Sequence, residues 1–439
     1  MTKNAPALLL TLAVALLGAG GRTRVVPEPW QVGYWYWRAA AGGAGPLPAA
    51  VTPDVVYVQV GTLSAAGLET ARWPSAVPPA RGYFATWRAD EARVPDAGLL
   101  PALARAQARL VAEAAAAGQR VDGLQLDVDC PTGSLPAYAD FLGRLRRALD
   151  GRALLSVTAL LDWFRPGTSV RRLAASVDEY VPQFYDARPE GPGRAIGEAI
   201  DAERWRPVFE GLGTRYRIGV SAFGRIQRVR ADGRGERRDG FRDLRLLDLW
   251  AGGLRPAPAA TSPSAETVLS WEVERPPLSA LEPGDRVEAV VPTAASVRAA
   301  HEAARRFGPR CAGVVYFRWP ARDETLALGP DEVAAALSAA PAPGAPRLDA
   351  HNGGCAPRAC ADLTLRIGDR FAARPARLVL SASEDVEYVM AAQPAIGLRQ
   401  TGARTLALTL PAYVGEREVL LGRAFSRRAG RYAIAGEER

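Results

Sequence analysis

The stretch VDGLQLDVDCP, residues 121–131, places acidic side chains in an otherwise apolar run. Successive residues of a β-strand point to opposite faces. Gln125, Asp127 and Asp129 therefore share one face, and the apolar residues between them share the other. Because burying a carboxylate costs on the order of several kcal/mol unless it is paired or used, this stretch predicts a buried strand whose polar face has a function.

Eight β-rich runs alternate with helical stretches between residues 30 and 340. The predicted strands cover residues 32–38, 54–60, 82–87, 123–129, 154–161, 179–185, 217–223 and 313–319. The predicted helices cover residues 98–117, 135–149, 168–176, 196–210, 294–307 and 329–339. Repeated β-then-α units favour a parallel sheet with crossover helices, and eight of them match a (β/α)8 TIM-type barrel in the α/β class. A doubly wound open sheet is the alternative, but no glycine-rich phosphate loop follows the first strand to support it.

Two further regions interrupt or follow the barrel pattern. The long segment between the seventh and eighth strands predicts a small α+β insertion on the barrel's rim. A proline- and alanine-rich stretch, residues 341–359, predicts a linker. Residues 360–439 alternate in short runs that are typical of a β-sandwich-like module. A chain of 439 residues is long enough for these two domains.

The N-terminal residues 1–21 predict a signal peptide. Lys3 precedes an apolar run from Ala5 to Leu17, and small residues follow up to Gly21. We expect cleavage near residues 19–21 and export to the periplasm or the extracellular space. No later stretch is apolar for long enough to predict a stable membrane span.

The charge of the chain is positive but evenly distributed. The net charge is +8, and Lys3 is the single lysine, so arginine carries nearly all of the positive charge along the whole length. Such uniform use of arginine indicates a compositional bias rather than a nucleic-acid-binding patch. The one basic cluster, residues 225–242, predicts a solvated hairpin or loop, with a site for an acidic ligand as the alternative.

Cysteine and histidine usage limits the chemistry. Cys355 and Cys360 bracket a short loop, and in an oxidising compartment we expect a disulfide between them. Cys130 and Cys311 fall at opposite ends of predicted parallel strands, so we expect two buried free thiols.

The chain has two histidines, His301 in a predicted helix and His351 in the predicted linker. Histidine triads and histidine metal sites are thereby disfavoured. A Ca²⁺ site among the acidic residues of the opening stretch is also disfavoured, because alternation places Asp122 on the opposite face from Asp127 and Asp129. We expect no metal and no cofactor, and any chemistry must use carboxylates.

The opening stretch places its carboxylates where barrels of this class have their active sites, at the carboxyl ends of the strands. Asp129 would lie at the mouth and Asp127 one layer deeper, roughly 6–7 Å away. Carboxylates this close titrate at separated pKa values, which suits acid catalysis near neutral pH.

The stretch DGLQLDVDCP resembles the signature of family 18 glycoside hydrolases, the chitinase-like barrels, which reads roughly D-G-x-D-x-D-x-E-x-P. The positions that match are Asp122, Gly123, Asp127 and Pro131. Gln125 replaces the first inner aspartate, and Asp129 replaces the glutamate that acts as general acid.

Two further strand ends resemble the same family. QFYD, residues 183–186, is similar to its M-x-Y-D, and Trp319 ends a strand where the family carries the tryptophan under the bound sugar. The barrel also resembles a bacterial family of secreted proteins of unknown function, on QLDVD, residues 125–129, and on LSVTAL, residues 155–160.

The resemblance implies a secreted glycoside hydrolase that cleaves a polysaccharide or glycoconjugate with the help of the sugar's own acetamido group. It implies that Asp129 is the acid and Asp127 its partner. The implied substrate-binding residues are Tyr185, Asp186, Trp319, Gln125 and Gln183, and we expect Tyr185 and Trp319 to share one cleft with Asp129. Trp35 and Trp37 on the first strand are candidates for a sugar-stacking platform together with Trp319, and packing in the core is the alternative. The alternative is a non-catalytic, carbohydrate-binding barrel of the cell envelope. In both cases we expect a monomer with a carbohydrate partner and no nucleic acid.

Overall fold

The computed structural model describes most of the predicted barrel and C-terminal module. The described residues are 29–37, 45–64, 66–70, 72–89, 94–185, 200–230, 235–236, 254–257, 266–275, 281–322, 324, 326–338, 346–367, 376–410 and 417–437. The predicted signal peptide, Asp186 and most of the basic cluster lie outside these ranges.

Eight parallel strands close into a barrel, as the sequence predicts. Seven of them are β1 (Gln31–Tyr36), β2 (Val55–Ser64), β4 (Gly82–Ala89), β5 (Val121–Asp127), β6 (Leu154–Ala159), β7 (Glu179–Pro182) and β8 (Arg215–Ser221), and β3 (Gly67–Thr70) forms a hairpin with β2. The eighth barrel strand is β14 (Cys311–Phe317), which follows an insertion. The order is β1-β14-β8-β7-β6-β5-β4-β2, and pairing of β1 with β2 closes the ring.

Among the described residues, six α-helices accompany the strands. They are α1 (Leu100–Ala116), α2 (Leu135–Leu149), α3 (Val170–Ala175), α4 (Ala202–Glu210), α5 (Ala294–Ala304) and α6 (Pro330–Leu337). In α1 the buried residues Leu103, Ala106, Leu110 and Ala114 recur every three to four positions, so one face of the helix packs on the sheet. None of the helices among the described residues combines the length and apolarity needed to cross a bilayer.

The barrel has a core on each side of its strands. The larger core lies between strands and helices, and it contains Leu124, Leu126 and Val128. The smaller core fills the barrel and includes Trp35, Tyr57 and other inward residues. The predicted alternation of β5 is confirmed, since Leu124 and Leu126 pack in the outer core whereas Gln125 and Asp127 point inward.

The amino end of the barrel interior is closed by a buried ion pair. Glu179 at the start of β7 pairs with Arg217 of β8, and both side chains are about 95% buried. Tyr57 Oη donates to Glu179 Oε1 at 2.5 Å and accepts from Arg217 Nη1 at 2.8 Å. Burial alone would lower the pKa of Arg217, but the charge of Glu179 raises it above its usual value. This ion pair lies far from the carboxyl ends of the strands, where barrels of this class have their active sites, so its role is structural.

The insertion between β8 and β14 adds a five-stranded antiparallel sheet. Its strands are β9 (Arg225–Val229), β10 (Gly235–Glu236), β11 (Leu254–Ala257), β12 (Thr267–Val273) and β13 (Arg286–Val291), in the order β10-β9-β13-β12-β11. The start of the predicted basic cluster thus forms β9, in which the buried Arg228 pairs with Asp285 at 2.6 Å.

The C-terminal residues form a β-sandwich. Its strands are β15 (Arg347–Asn352), β16 (Ala359–Arg366), β17 (Ala376–Ala382), β18 (Val386–Ala391), β19 (Gly397–Gly402), β20 (Thr405–Leu410), β21 (Glu418–Ser426) and β22 (Tyr432–Glu437). They build two antiparallel sheets, β15-β16-β21-β18 and β19-β20-β17-β22, around a shared leucine-rich core. His351 lies in β15, opposite Asp362 of β16, so a strand occupies part of the stretch from which a linker was predicted.

The cysteines are arranged as expected from their positions. Cys355 and Cys360 form a disulfide, while Cys130 and Cys311 are free and buried. Burial raises the pKa of both free thiols to about 12, so neither is a ready nucleophile at neutral pH.

The sandwich contacts the barrel through Arg417. Its guanidinium donates to the Ala327 carbonyl and to Glu332 Oε2, each at 2.9 Å. Ala327 belongs to the loop that follows β14, and Glu332 lies in the first turn of α6. The C-terminal module therefore holds one of the loops at the carboxyl end of the barrel.

Candidate functional site

Asp127 and Asp129 lie at the carboxyl end of β5 in different environments. Asp127 is the last residue of the strand and is 8% exposed, whereas Asp129 follows the strand and is exposed. The strand thus presents one carboxylate to solvent at the mouth and holds a second one just below it.

The Asp127 carboxylate is held by side chains from β4, from β6 and from the segment that follows β7. Thr158 Oγ1 of β6 donates to Asp127 Oδ1 at 2.7 Å, and Gln183 Nε2, just after β7, donates to the same oxygen at 3.3 Å. Arg88 of β4 places Nε 4.0 Å from Asp127 Oδ2. These partners fix the direction of the carboxylate and offset much of the cost of burying it.

Gln125 lies one layer below Asp127 and has a structural role. Its side chain is fully buried, and Oε1 accepts from Trp35 Nε1 at 2.7 Å and from Thr86 Oγ1 at 3.4 Å. Its Nε2 donates to Ser156 Oγ at 3.1 Å. A neutral amide can both accept and donate here, which a carboxylate could not. Gln125 therefore supports Trp35 from inside the barrel.

Replacing Gln125 by leucine should lower barrel stability by about 1–3 kcal/mol, because the Trp35 indole N–H would remain buried without an acceptor. All ten tryptophans precede residue 320, so tryptophan fluorescence during urea unfolding reports on the barrel with its insertion and not on the sandwich. If the free energy of unfolding of the variant lies within about 0.5 kcal/mol of the wild-type value, this hydrogen bond contributes little to stability.

Aromatic rings group on the inward face at the mouth. Tyr185 stacks on Phe317 with ring centroids 4.5 Å apart and an interplanar angle of 7°. Trp35 packs edge-on against Tyr185 at 5.4 Å, and Trp37 packs edge-on against Phe317 at 5.8 Å. Tyr185, Phe317 and Trp37 are partly exposed, whereas Trp35 is buried beneath them. The predicted residues Tyr185, Trp35 and Trp37 therefore do lie together.

Trp319 lies elsewhere, contrary to the expectation that it shares a cleft with Tyr185. It is 1% exposed, its indole N–H donates to the Leu47 carbonyl at 2.9 Å, and its ring packs edge-on against Tyr34 in the outer core. The physical reason is that β14 ends at Phe317, so the strand alternation that would point Trp319 inward has stopped. Phe317 occupies the inward position at the end of this strand instead.

The loop that carries Asp129 is fixed by the loop after β6. Trp163 Nε1 donates to the Cys130 carbonyl at 3.0 Å, and Thr132 Oγ1 donates to Asp162 Oδ2 at 2.6 Å. Trp163 is fully buried, so this link is rigid. The backbone beside Asp129 is therefore held in place, although its side chain is exposed.

Sequence reasoning missed three residues of this site, namely Arg88, Thr158 and Phe317. Each lies at an inward position near a strand's carboxyl end, and alternation within the strand could have found each of them. Arg88 was missed because the predicted strand stopped at residue 87, one position short of it. Thr158 lies in the middle of the apolar stretch LSVTAL, and Phe317 lies two residues before the larger Trp319.

A suitable metal site is not found in the part of the chain that the structure describes. No group of three or more histidine, cysteine, aspartate or glutamate side chains there could hold an ion. The polar groups at the mouth are carboxylates, amides, hydroxyls and one guanidinium, which suit hydrogen bonding to a polar organic ligand.

A family model matches part of the sequence. A family described as a domain of unknown function, DUF3142, matches residues 93–238. The matched segment runs from before α1 to the start of the insertion, so it contains Asp127, Asp129, Thr158 and Tyr185. No curated protein matches the sequence significantly.

Comparison with solved structures finds likenesses of low sequence identity. A chitinase of Chromobacterium violaceum is 17% identical with a TM-score of 0.44, covering 70% of this chain and 98% of its own. The spore cortex-lytic enzyme of Bacillus cereus is 11% identical with a TM-score of 0.44, and the alignment covers 71% of this chain and 74% of that enzyme. A family 18 N-acetylglucosaminidase of Paenibacillus barengoltzii is 12% identical with a TM-score of 0.43, and the alignment covers 66% of this chain and 95% of that enzyme. These likenesses carry no conclusion about function, which is argued below from the residues of the site.

Proposed function

We propose that this protein is an exported glycoside hydrolase that cleaves a polysaccharide or glycoconjugate at the carboxyl end of its barrel. One observation carries the proposal: the exposed Asp129 follows the buried, hydrogen-bonded Asp127 at the end of a central barrel strand. Glycosidic bond cleavage needs an acid that can reach the leaving oxygen, together with a fixed negative charge near the sugar ring.

Asp129 is the proton donor in this proposal. Its side chain is open to solvent at the mouth, while its backbone is fixed through Cys130 and Trp163. An aspartate is one methylene shorter than the glutamate of the resembling signature. The sugar must therefore bind closer to β5 than it would beside a glutamate, because a misplacement of about 1 Å can cost around a hundredfold in rate.

Asp127 supports the reaction from below without contacting the leaving group. Thr158 and Gln183 hold one of its oxygens, and the second oxygen, Oδ2, lies nearest Arg88. A fixed carboxylate at this depth stabilises the positive charge that develops on the sugar in the transition state. It can also orient an acetamido group if the substrate carries one, as the sequence resemblance implies.

The aromatic rings at the mouth provide surfaces for sugar rings. Tyr185, Phe317 and Trp37 are partly exposed, and the mutual stacking of Tyr185 and Phe317 keeps both rings fixed. In this proposal Phe317 performs the role that the sequence assigned to Trp319. Asp186 follows Tyr185 directly and remains a predicted substrate-binding residue outside the described part of the chain.

Arg88 favours a second candidate, a barrel that binds a glycan without cleaving it. Its guanidinium lies 4.0 Å from Asp127, and a permanent positive charge there opposes the positive charge of an oxocarbenium-like transition state. The same guanidinium would strengthen binding of a sugar that carries a carboxylate or phosphate.

A single screen separates the two candidates. The protein, processed after export, is incubated with soluble and insoluble polysaccharides, including chitin oligosaccharides and peptidoglycan, and both binding and new reducing ends are measured. A hydrolase should release new reducing ends from at least one glycan, and binding without cleavage would support the second candidate. Export is checked in the same preparation, since N-terminal sequencing should place the first residue of the exported protein just after residues 19–21.

A further inference from the structure

The C-terminal sandwich exposes apolar side chains on one sheet face. Four large apolar side chains are strongly exposed among the described residues, and three of them belong to this module: Tyr388 (42% exposed), Met390 (58%) and Leu420 (48%). The strand neighbours of Leu420, Val419 and Leu421, are buried in the sandwich core, so Leu420 points to the outer face of the sheet. Exposed apolar patches rimmed by polar groups mark binding surfaces.

The ring of Tyr388 is held in a fixed orientation. It lies directly opposite Phe425 of β21, and the two rings stack 4.2 Å apart at an interplanar angle of 13°. Among the described residues β18 is the edge strand of its sheet, and Tyr388 remains 42% exposed beside Phe425. An aromatic ring fixed before binding loses little conformational entropy when a ligand stacks on it.

Hydrogen-bonding groups flank the ring along the same face. Arg423, opposite Met390 in register, binds Asp362 in a bidentate pair at 2.6 and 2.9 Å. The register shifts between Val386 and Tyr388, which interrupts the strand alternation at Glu387, and Glu387 pairs with Arg358 at 3.1 Å and with Arg427 at 3.2 Å. The face therefore combines a rigid aromatic ring with planar polar groups on either side of it.

These features fit a sugar chain better than a second protein. A pyranose ring is apolar on its C–H faces and carries hydroxyls around its edge, which matches a ring flanked by guanidinium and carboxylate groups. A stable protein interface needs about 800 Å² from each partner. The exposed side chains of Tyr388, Met390 and Leu420, together with the Phe425 ring, are too few to supply that area.

We propose that Tyr388, Phe425, Met390, Leu420 and Arg423 form a second carbohydrate-binding site, at which a pyranose ring of a glycan stacks on Tyr388. This site is separate from the barrel mouth and anchors the protein on its polymer. The choice of ligand class rests on the proposed function, whereas the surface itself does not.

The test uses the exported full-length chain and insoluble chitin and peptidoglycan as probes. Tyr388→Ala should weaken binding to at least one polymer by about tenfold or more, since it removes the central aromatic anchor. Tyr388→Phe, which keeps the ring, should bind as the wild type does. Leu154→Ala is the matched control, because Leu154 is 45% exposed on the barrel and lies outside the proposed surface.

Four results would overturn this proposal. They are equal binding by Tyr388→Ala and wild type, an equal loss in Leu154→Ala, no binding of either polymer by the wild type, and a concentration-dependent dimer that Tyr388→Ala abolishes in sedimentation. Cleavage of short soluble oligosaccharides is measured in parallel and should be unchanged in Tyr388→Ala. Tyr388-dependent binding without any cleavage would refute the hydrolase function and leave the second site intact.

Discussion

Replacing Asp129 by asparagine should reduce glycan cleavage by about a hundred- to ten-thousand-fold, the usual contribution of a positioned general acid. The amide has nearly the same shape as the carboxyl group but cannot donate the proton to the leaving oxygen. Because Asp129 is exposed and its backbone is held by neighbouring residues, the variant should fold and bind glycan as the wild type does.

The matched control for this variant is Asp140→Asn. Asp140 lies on the outer surface of α2, where it pairs with Arg172, and it is 54% exposed. The substitution removes one carboxylate from α2, the helix that follows β5, and leaves the mouth of the barrel unchanged. Cleavage activity should therefore stay the same. Full cleavage activity in Asp129→Asn would remove Asp129 from the mechanism.

Replacing Glu179 by glutamine should lower barrel stability by about 3–5 kcal/mol, because Arg217 would remain buried without its counter-charge. Arg217 and Glu179 have 4% and 5% of their side chains exposed, so water cannot replace the lost partner. Tyr57 would also lose its charged acceptor. Tryptophan fluorescence in urea measures this loss for the barrel and its insertion, because the sandwich contains no tryptophan.

Two further variants test whether burial explains the stability lost in Glu179→Gln. Asp140→Asn breaks an exposed ion pair and should change stability by less than about 1 kcal/mol. The double variant with methionine at both Glu179 and Arg217 should recover much of the stability lost in Glu179→Gln, because a buried ion pair can often be replaced by apolar side chains of similar size. If Asp140→Asn lowered the free energy of unfolding as much as Glu179→Gln does, burial would not be what makes the Glu179 substitution destabilising.

The barrel could be predicted from the sequence because strand and helix periodicities are local. The order of the eight strands follows from the β-then-α repeat, and the inward direction of Asp127 follows from its parity with Gln125 and Asp129. Whether the polar face of β5 lies in a cleft or beneath other side chains depends on strands far away in sequence. Thr158 and Gln183 decide this for Asp127, and neither is local to it.

The misplacement of Trp319 has the same origin. Its assignment assumed that β14 continues to residue 319, whereas the strand ends at Phe317 and the chain turns so that the indole reaches Leu47. Strand ends are set by the loops that pack around them, and periodicity carries little information about those loops. The role of Gln125 was equally hidden, because its partner Trp35 lies ninety residues earlier in the chain.

The most direct measurement is a crystal structure of the Asp129→Asn variant with a glycan that the screen identifies. If the protein is a hydrolase, one sugar ring should lie against Tyr185 and Phe317, with Asp127 beneath it. The side-chain amide that the substitution introduces should then lie within hydrogen-bond distance of a glycosidic oxygen. A glycan bound solely on the sandwich, or one whose glycosidic oxygen lies away from the substituted side chain, would contradict the proposed function.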